Sequence, residues 1–193
     1  MTSIRSQAPS TVGGTAIVIG ASMAGLCAAR VLADHFDRVR VLDRDDLPAG
    51  PEPRGQVPQG RQPHLLLVSG ARILEGWFPG LLAELYRAGA VELDLSADVW
   101  WHQDGGPLRR PRSDLVGPSM SRPLLEHTVR RRLMALPNVE VEGGTSVVGL
   151  RTDEDGRRVT GVELADGEPL PCDLLVDASG RQARTVPWVE GLG

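Results

Sequence analysis

The chain has 193 residues, 41% of them hydrophobic and 24% charged, with a formal charge of −4. That length permits one domain, or one and a fraction, able to bury about 70% of the surface its unfolded form exposes. The composition excludes a fibrous or disordered chain, and the acidic balance supplies no general attraction to nucleic acid or anionic lipid.

Residues 1–14 are rich in Ser, Thr, Gly and Pro without a period and read as a disordered lead-in. Thr15 to Ile19 is a continuous apolar, β-branched run ending in Gly20, the pattern of a strand buried on both faces of a parallel sheet. Ala24 to Phe36 reads as a helix with Ala24, Cys27, Ala28, Val31 and Leu32 on one face, and Arg38 to Asp43 as a second strand. Strand, glycine turn, helix and strand form a βαβ unit with a right-handed crossover.

Arg44 to Pro63 is a long Pro/Gly loop, of the kind that is usually functional or mobile. His64 to Trp77 and Pro79 to Ala88 read as two helices broken at Phe78-Pro79. Val91 to Leu95 and Asp98 to His102 read as strands, with a hairpin turn at residues 104–107 before a strand from Leu108 to Arg112. Ser121 reads as an N-cap, with Pro123 in the first turn of a helix that stops at Pro137. Val139 to Glu142 is a third strand, expected beside the second. Ser146 to Cys172 reads as a β-meander with turns at EDGR and ADGE, and Asp173 to Asp177 as another buried parallel strand entering the turn ASGRQAR.

Several classes of chemistry are excluded along the way. All 21 basic residues are Arg, so no amine is present for catalysis, although guanidinium forks suit phosphate contacts. Cys27 and Cys172 lie far apart in no CxxC or Cys/His pattern, which indicates neither a zinc site nor a disulfide scaffold. There is no run of 18 apolar residues, and the first ten residues lack a signal peptide's basic start and apolar core. A cytoplasmic protein without membrane insertion is the expectation.

The first βα turn, Gly20-Ala21-Ser22-Met23-Ala24-Gly25, is a GxGxxG variant with Ser22 in the middle glycine position. In this motif the first glycine permits the tight turn, the second lets backbone approach a pyrophosphate and the last lets helix and strand pack closely. The anion sits on the exposed amides of the helix N-terminus, which the helix dipole favours. Asp43 ends the second strand where a carboxylate can accept both hydroxyls of an adenosine ribose, and it disfavours a 2′-phosphate.

The segments TAIVIGASMAGLCAARVLADHFDRVRVLDRD, PEPRGQVPQGRQPHLLLVSGARILEGWFPGL, SRPLLEHTVRRRL and DLLVDASGRQAR together resemble actinobacterial FAD-dependent monooxygenases, in particular flavin epoxidase-like enzymes related to squalene and polyether epoxidases. The resemblance implies the glutathione-reductase-type FAD-binding fold: α/β, with a Rossmann-like parallel sheet and an inserted β-meander, incomplete at the C-terminus. Residues 15–193 are then the N-terminal part of the FAD-binding domain, with 91–120 the start of a substrate-domain strand insertion. It assigns Gly20 to Gly25 to the FAD pyrophosphate, Asp43 with its neighbour Arg44 to the adenosine end, and Arg122 to the phosphate and ribitol region. Asp177, Ser179 and Gly180 fall in the second flavin fingerprint, where Ser179 replaces the usual Asp and the usual NAD(P)H contact is not carried over. Arg61 and His64 belong to the loop that passes the flavin ring. At most one of Trp100 and Trp101 shapes an apolar substrate wall and the other is expected in the core, because a strand points neighbours to opposite faces.

The implied activity is transfer of one oxygen atom to an apolar alkene or aromatic substrate, with NADH or NADPH as electron donor. A flavin reductase of isoprenoid double bonds and a non-catalytic, truncated nucleotide-binding fragment are the alternatives; the absence of Lys counts against a flavin halogenase. Neither a metal nor a nucleic-acid partner is expected, and association through a truncated edge is.

Overall fold

The first strand, β1 (Gly13–Ile19), lies between two parallel neighbours, β12 (Leu174–Asp177) and β2 (Phe36–Leu42), and β8 (Val139–Glu142) pairs with the far side of β2. The structure, a computed structural model, describes residues 11–55 and 57–191, with backbone alone at 58, 59 and 182. It divides into two units: the described residues up to Leu47 with those from Arg130 onward, and Pro48–Val129.

In the first unit the four-stranded sheet has order β12-β1-β2-β8, all parallel. Its two faces follow from alternation along each strand. Ala16 and Val18 of β1 and Val39 and Val41 of β2 are fully buried on the face that carries α1 (Met23–Leu32), against whose Gly25 the Val18 side chain packs. On the other face Ile17 and Leu42 join Val162, Leu164 and Cys172 in one apolar cluster. The last three come from the meander of β9 (Val147–Thr152), β10 (Val159–Leu164) and β11 (Pro169–Pro171) and from the residue after it, so the meander roofs the sheet. Towards β8 the same face turns ionic: Arg38 bonds Glu140 at 2.7 Å and Arg40 bonds Glu142 at 2.8 Å. This ladder explains why β2 alternates charged and apolar residues. Asn138 donates to Ala33 O and Phe36 O, tying the α1–β2 connection to the start of β8.

The second unit contains α2 (Val68–Trp77), α3 (Leu81–Arg87) and an antiparallel sheet of order β3-β7-β4, with β3 at Pro63–Leu65, β4 at Val91–Asp94 and β7 at Val116–Ser121. The Glu75 carboxylate accepts the amides of Gly80 and Leu82 and so caps α3. Asp94, at the end of β4, accepts from the Ser113 amide and hydroxyl and from the amides of Ala97 and Ser96, bonds that hold its carboxyl far below the usual range. β7 leads into α4 (Arg122–Met134), whose first turn is capped by Ser121 Oγ accepting from the Leu124 amide at 3.3 Å. The unit boundary falls within α4.

The structure departs from the sequence expectations at identifiable places. Residues 1–10 of the expected lead-in lie outside the described residues, and β1 already includes Gly13 and Gly14, whose strand is held by Asp173 accepting the Gly14 and Thr15 amides. α1 stops at Leu32, and Phe36, expected in the helix, opens β2 as a buried residue. His64 opens no helix: it pairs with Met120 across β3 and β7, and α2 starts after Leu67. The expected strands Asp98 to His102 and Leu108 to Arg112 reduce to β5 (His102–Gln103) and β6 (Gly106–Pro107), a hairpin closed by Asp104 and Gly105 at φ 47° and 97°. Trp100 and Trp101 therefore lie in irregular chain and both are exposed, so neither is a core residue. Trp100 stacks under Arg110, and Trp101 donates its indole N–H to Leu95 O.

The apolar cluster under the meander generates a stability prediction. Ile17→Ala should cost about 2–5 kcal/mol in chemical unfolding, because Ile17 is wholly buried there. Val148→Ala, on the exposed side of β9, should change stability by less than about 0.5 kcal/mol. Equal effects from the two substitutions would mean that the meander does not roof the sheet.

Candidate functional site

The end of β1 turns into α1 through Gly20, which has φ 99°, a conformation that L side chains rarely adopt. A Cβ at Gly20 would also stand 2.7 Å from Ala178 O, in the turn that leaves β12. At Gly25 a Cβ would fall 1.8 Å from Gly20 O, so helix and turn touch backbone to backbone there. Both outer glycines of the motif are thus required by contact. Ser22 is the N-cap of α1 by backbone, without a side-chain cap bond, and its carbonyl takes the first helical bond from Leu26 at 2.9 Å. The amides of Met23, Ala24 and Gly25 precede that bond, and no acidic residue occupies the first turn to repel an anion.

Asp43 is placed by β2 directly beside this turn. Its Oδ2 accepts the Ala21 amide at 2.6 Å, its Oδ1 accepts the Asp45 amide at 2.9 Å, and the residue is only 8% exposed. The Gly20 amide meanwhile donates to Leu42 O at 2.7 Å. The carboxylate expected to meet a ribose is therefore also the brace of the turn. Arg44 follows it on the surface.

Asp177, Ser179 and Gly180 lie in the same unit, on the turn against Gly20. Burial pushes the Asp177 carboxyl up, but hydrogen bonds from Ser179 and Thr185 outweigh it and leave the group lowered overall. The Ser179 hydroxyl, standing where an Asp was expected from the family pattern, is turned back onto Asp177 at 2.5 Å.

The other three candidates, Arg61, His64 and Arg122, belong to the Pro48–Val129 unit. A cavity of about 600 Å³ is lined there by Pro51, Pro53, Arg61, Met120, Ser121 and Pro123 among others. Burial first, and then the Arg122 guanidinium, hold the His64 imidazole below its ordinary value of 6.5. Arg122 lies 3.8 Å from Glu126, which pairs with Arg54 at 2.9 Å. Glu126 and Arg54 were not among the candidates. An Arg and a Glu at i,i+4 were visible in the sequence, whereas the pairing with Arg54 across more than seventy residues had no local signal. Among the described residues no group of three His, Cys, Asp or Glu side chains could hold a metal, and no helix is long and apolar enough to cross a membrane. Cys172 is buried in the sheet cluster, and burial raises its thiol pKa.

The solved structures similar to this chain include a variant of PqsL from P. aeruginosa, 23% identical, with a TM-score of 0.67 over 87% of this chain and 43% of that one. PqsL from Pseudomonas aeruginosa, described as a probable FAD-dependent monooxygenase, gives a TM-score of 0.59 at 22% identity over 86% of this chain and 40% of that one. A 2-methyl-3-hydroxypyridine-5-carboxylic acid oxygenase gives 0.57 at 22% identity, over 84% of this chain and 38% of that one. The fold is the one these oxygenases share. In sequence the chain is similar to Protein Rv3254 of Mycobacterium tuberculosis, at 37% identity over 92% of this chain, and it spans 40% of that protein's length. No protein-family model matches the chain.

Two predictions come from this geometry. Gly20→Val should abolish ADP binding in calorimetry and lower stability, since both φ and the Ala178 carbonyl oppose a side chain; unchanged affinity would remove the turn from the site. The His64 imidazole should titrate below 6.5 by NMR, and Arg122→Met should move its midpoint up. Because the folded value lies below the unfolded one, the stability His64 contributes is complete above about pH 6.5 and is lost as pH falls through the folded value. An unmoved midpoint in Arg122→Met would separate the two side chains.

Proposed function

We propose that this chain is the FAD-binding part of a flavin-dependent monooxygenase or epoxidase acting on an apolar alkene or aromatic substrate. The observation that carries the proposal is the glycine turn braced by Asp43 at the N-terminus of α1, between that helix and a parallel sheet roofed by a meander. The residues present fit the ADP half of the cofactor. Gly20 to Gly25 form the pyrophosphate turn: the amides of Met23, Ala24 and Gly25 at the start of the helix are the proposed anion donors, while those of Gly20 and Ala21 are taken by Leu42 O and Asp43 and shape the turn that carries Ser22. Asp43 supplies acceptors for ribose hydroxyls and Arg44 a surface guanidinium beside it.

Arg61, His64 and Arg122 are the proposed contacts to the rest of the cofactor, and Asp177, Ser179 and Gly180 frame the turn that seats Gly20. A neutral His64 can accept as well as donate a hydrogen bond. Bound FAD would supply the oxygen chemistry, with NADH or NADPH as the proposed source of electrons. The chain's own residues bind and orient the cofactor; among them we assign no acid or base to a proton transfer. We further propose that residues 91–120 begin the substrate-binding part and that Trp100 or Trp101 contributes an apolar wall to it.

The test is a visible spectrum of the purified chain supplied with FAD, together with calorimetry of ADP and its 2′-phosphorylated analogue. Retained flavin absorption, and ADP bound at least about tenfold more tightly than the analogue, are expected. ADP binding without flavin retention would favour a nucleotide-binding module, and equal affinity for the two nucleotides would remove Asp43 from ribose recognition.

A further inference from the structure

Within the Pro48–Val129 unit one carboxylate sits between two guanidiniums drawn from distant parts of the sequence. The Glu126 side chain is 7% exposed; Arg54 Nη2, on a side chain 4% exposed, lies 2.9 Å from its Oε1, and Arg122 Nε lies 3.8 Å from its Oε2. A carboxylate and a guanidinium that leave water together are costly unless each compensates the other, so their burial as a set needs a reason. Helix stability does not supply it. Arg122 is the first residue of α4, where the helix dipole disfavours a cation, and Arg preceding Glu at i,i+4 is the weaker orientation for an ion pair.

Position in the chain supplies the reason. Arg54 belongs to the Pro-rich loop, in which the described residues between Pro48 and Gln62 form a 3₁₀ turn at Pro58–Arg61 and no strand or α-helix. A buried ion pair on the Arg54 guanidinium holds such a segment in place of ladder or helix bonds. Pro53, beside Arg54, and Pro123, beside Arg122, both line the cavity of about 600 Å³. The two arms of the Glu126 pairing thus end next to two walls of that cavity, and the second arm carries the guanidinium that acts on His64.

We infer that Glu126 is a positioning residue: it clamps the Pro-rich loop to the start of α4, and thereby sets the cavity's width and the direction of Arg122. The ligand-binding part of the test rests on the FAD reading above, whereas the clamp does not. Glu126→Gln keeps the shape and a hydrogen-bonding group but removes the charge. Arg54→Met combined with Glu126→Met replaces the pair by apolar side chains of similar length, an exchange that buried ion pairs often tolerate without loss of fold.

Hydrogen exchange of the peptide covering 48–63, measured without ligand, should quicken about tenfold in both variants while peptides of β1 and β2 keep their protection. The affinity for FAD should fall about tenfold in both, with that for ADP unchanged, so that the FAD-to-ADP ratio reports orientation and not folding. A double variant with wild-type exchange in the loop, or with a wild-type FAD-to-ADP ratio, would overturn the inference, because the pair would then only fill space. If the unaltered chain binds neither FAD nor ADP, the cofactor reading falls and loop exchange alone decides the clamp.

Discussion

The hydrogen bond from the Ala21 amide to Asp43 Oδ2, at 2.6 Å and away from water, joins the glycine turn to the end of β2. Charge-assisted bonds of this kind are about twice as strong as neutral ones, and burial removes the competing solvent. The turn could not otherwise hold its shape, because its opening residue has a positive φ and its closing glycine meets backbone at a distance no side chain survives. Gly20 is anchored by its own amide to Leu42 O and pressed by the Ala178 carbonyl, so strands β2 and β12 both set its position. The order β12-β1-β2 of the sheet is therefore a requirement of the site: it brings three chain segments, far apart in sequence, onto one turn.

The elements that specify themselves locally were legible. Thr15 to Ile19 reads as a buried strand because both faces are covered, by α1 on one side and by the meander on the other. Ser121 is a helix cap by its own chemistry, and Asp104-Gly105 closes a hairpin by its dihedral preferences. What depended on distant partners was not legible. Phe36 fits a helix pattern but is drawn into β2 by the connection that Asn138 fastens. His64 and its leucines fit a helix too, yet β7 offers them a ladder, and β7, with Gly117, Pro118 and two serines, carries little strand propensity of its own.

The candidate site shows the same division. The glycine turn and Asp43 were readable because the motif encodes its geometry in spacing. That Asp43 braces the turn through Ala21 was not, since the motif names a ligand role and says nothing of the backbone donors. The departure at Ser179 was visible as a substitution, and the structure gives its hydroxyl an internal partner in Asp177. Arg54 and Glu126 escaped notice because a charge in a Pro-rich loop ordinarily faces solvent, and only the fold places it inside.

The claim on which the account stands is that the amides opening α1 receive a diphosphate. Backbone amide NMR of the chain titrated with ADP tests it residue by residue. The account predicts that the Met23, Ala24 and Gly25 resonances move first and furthest, with Ala21 following through its bond to Asp43. Saturable shifts confined to other parts of the chain, with residues 20–25 unmoved, would contradict it.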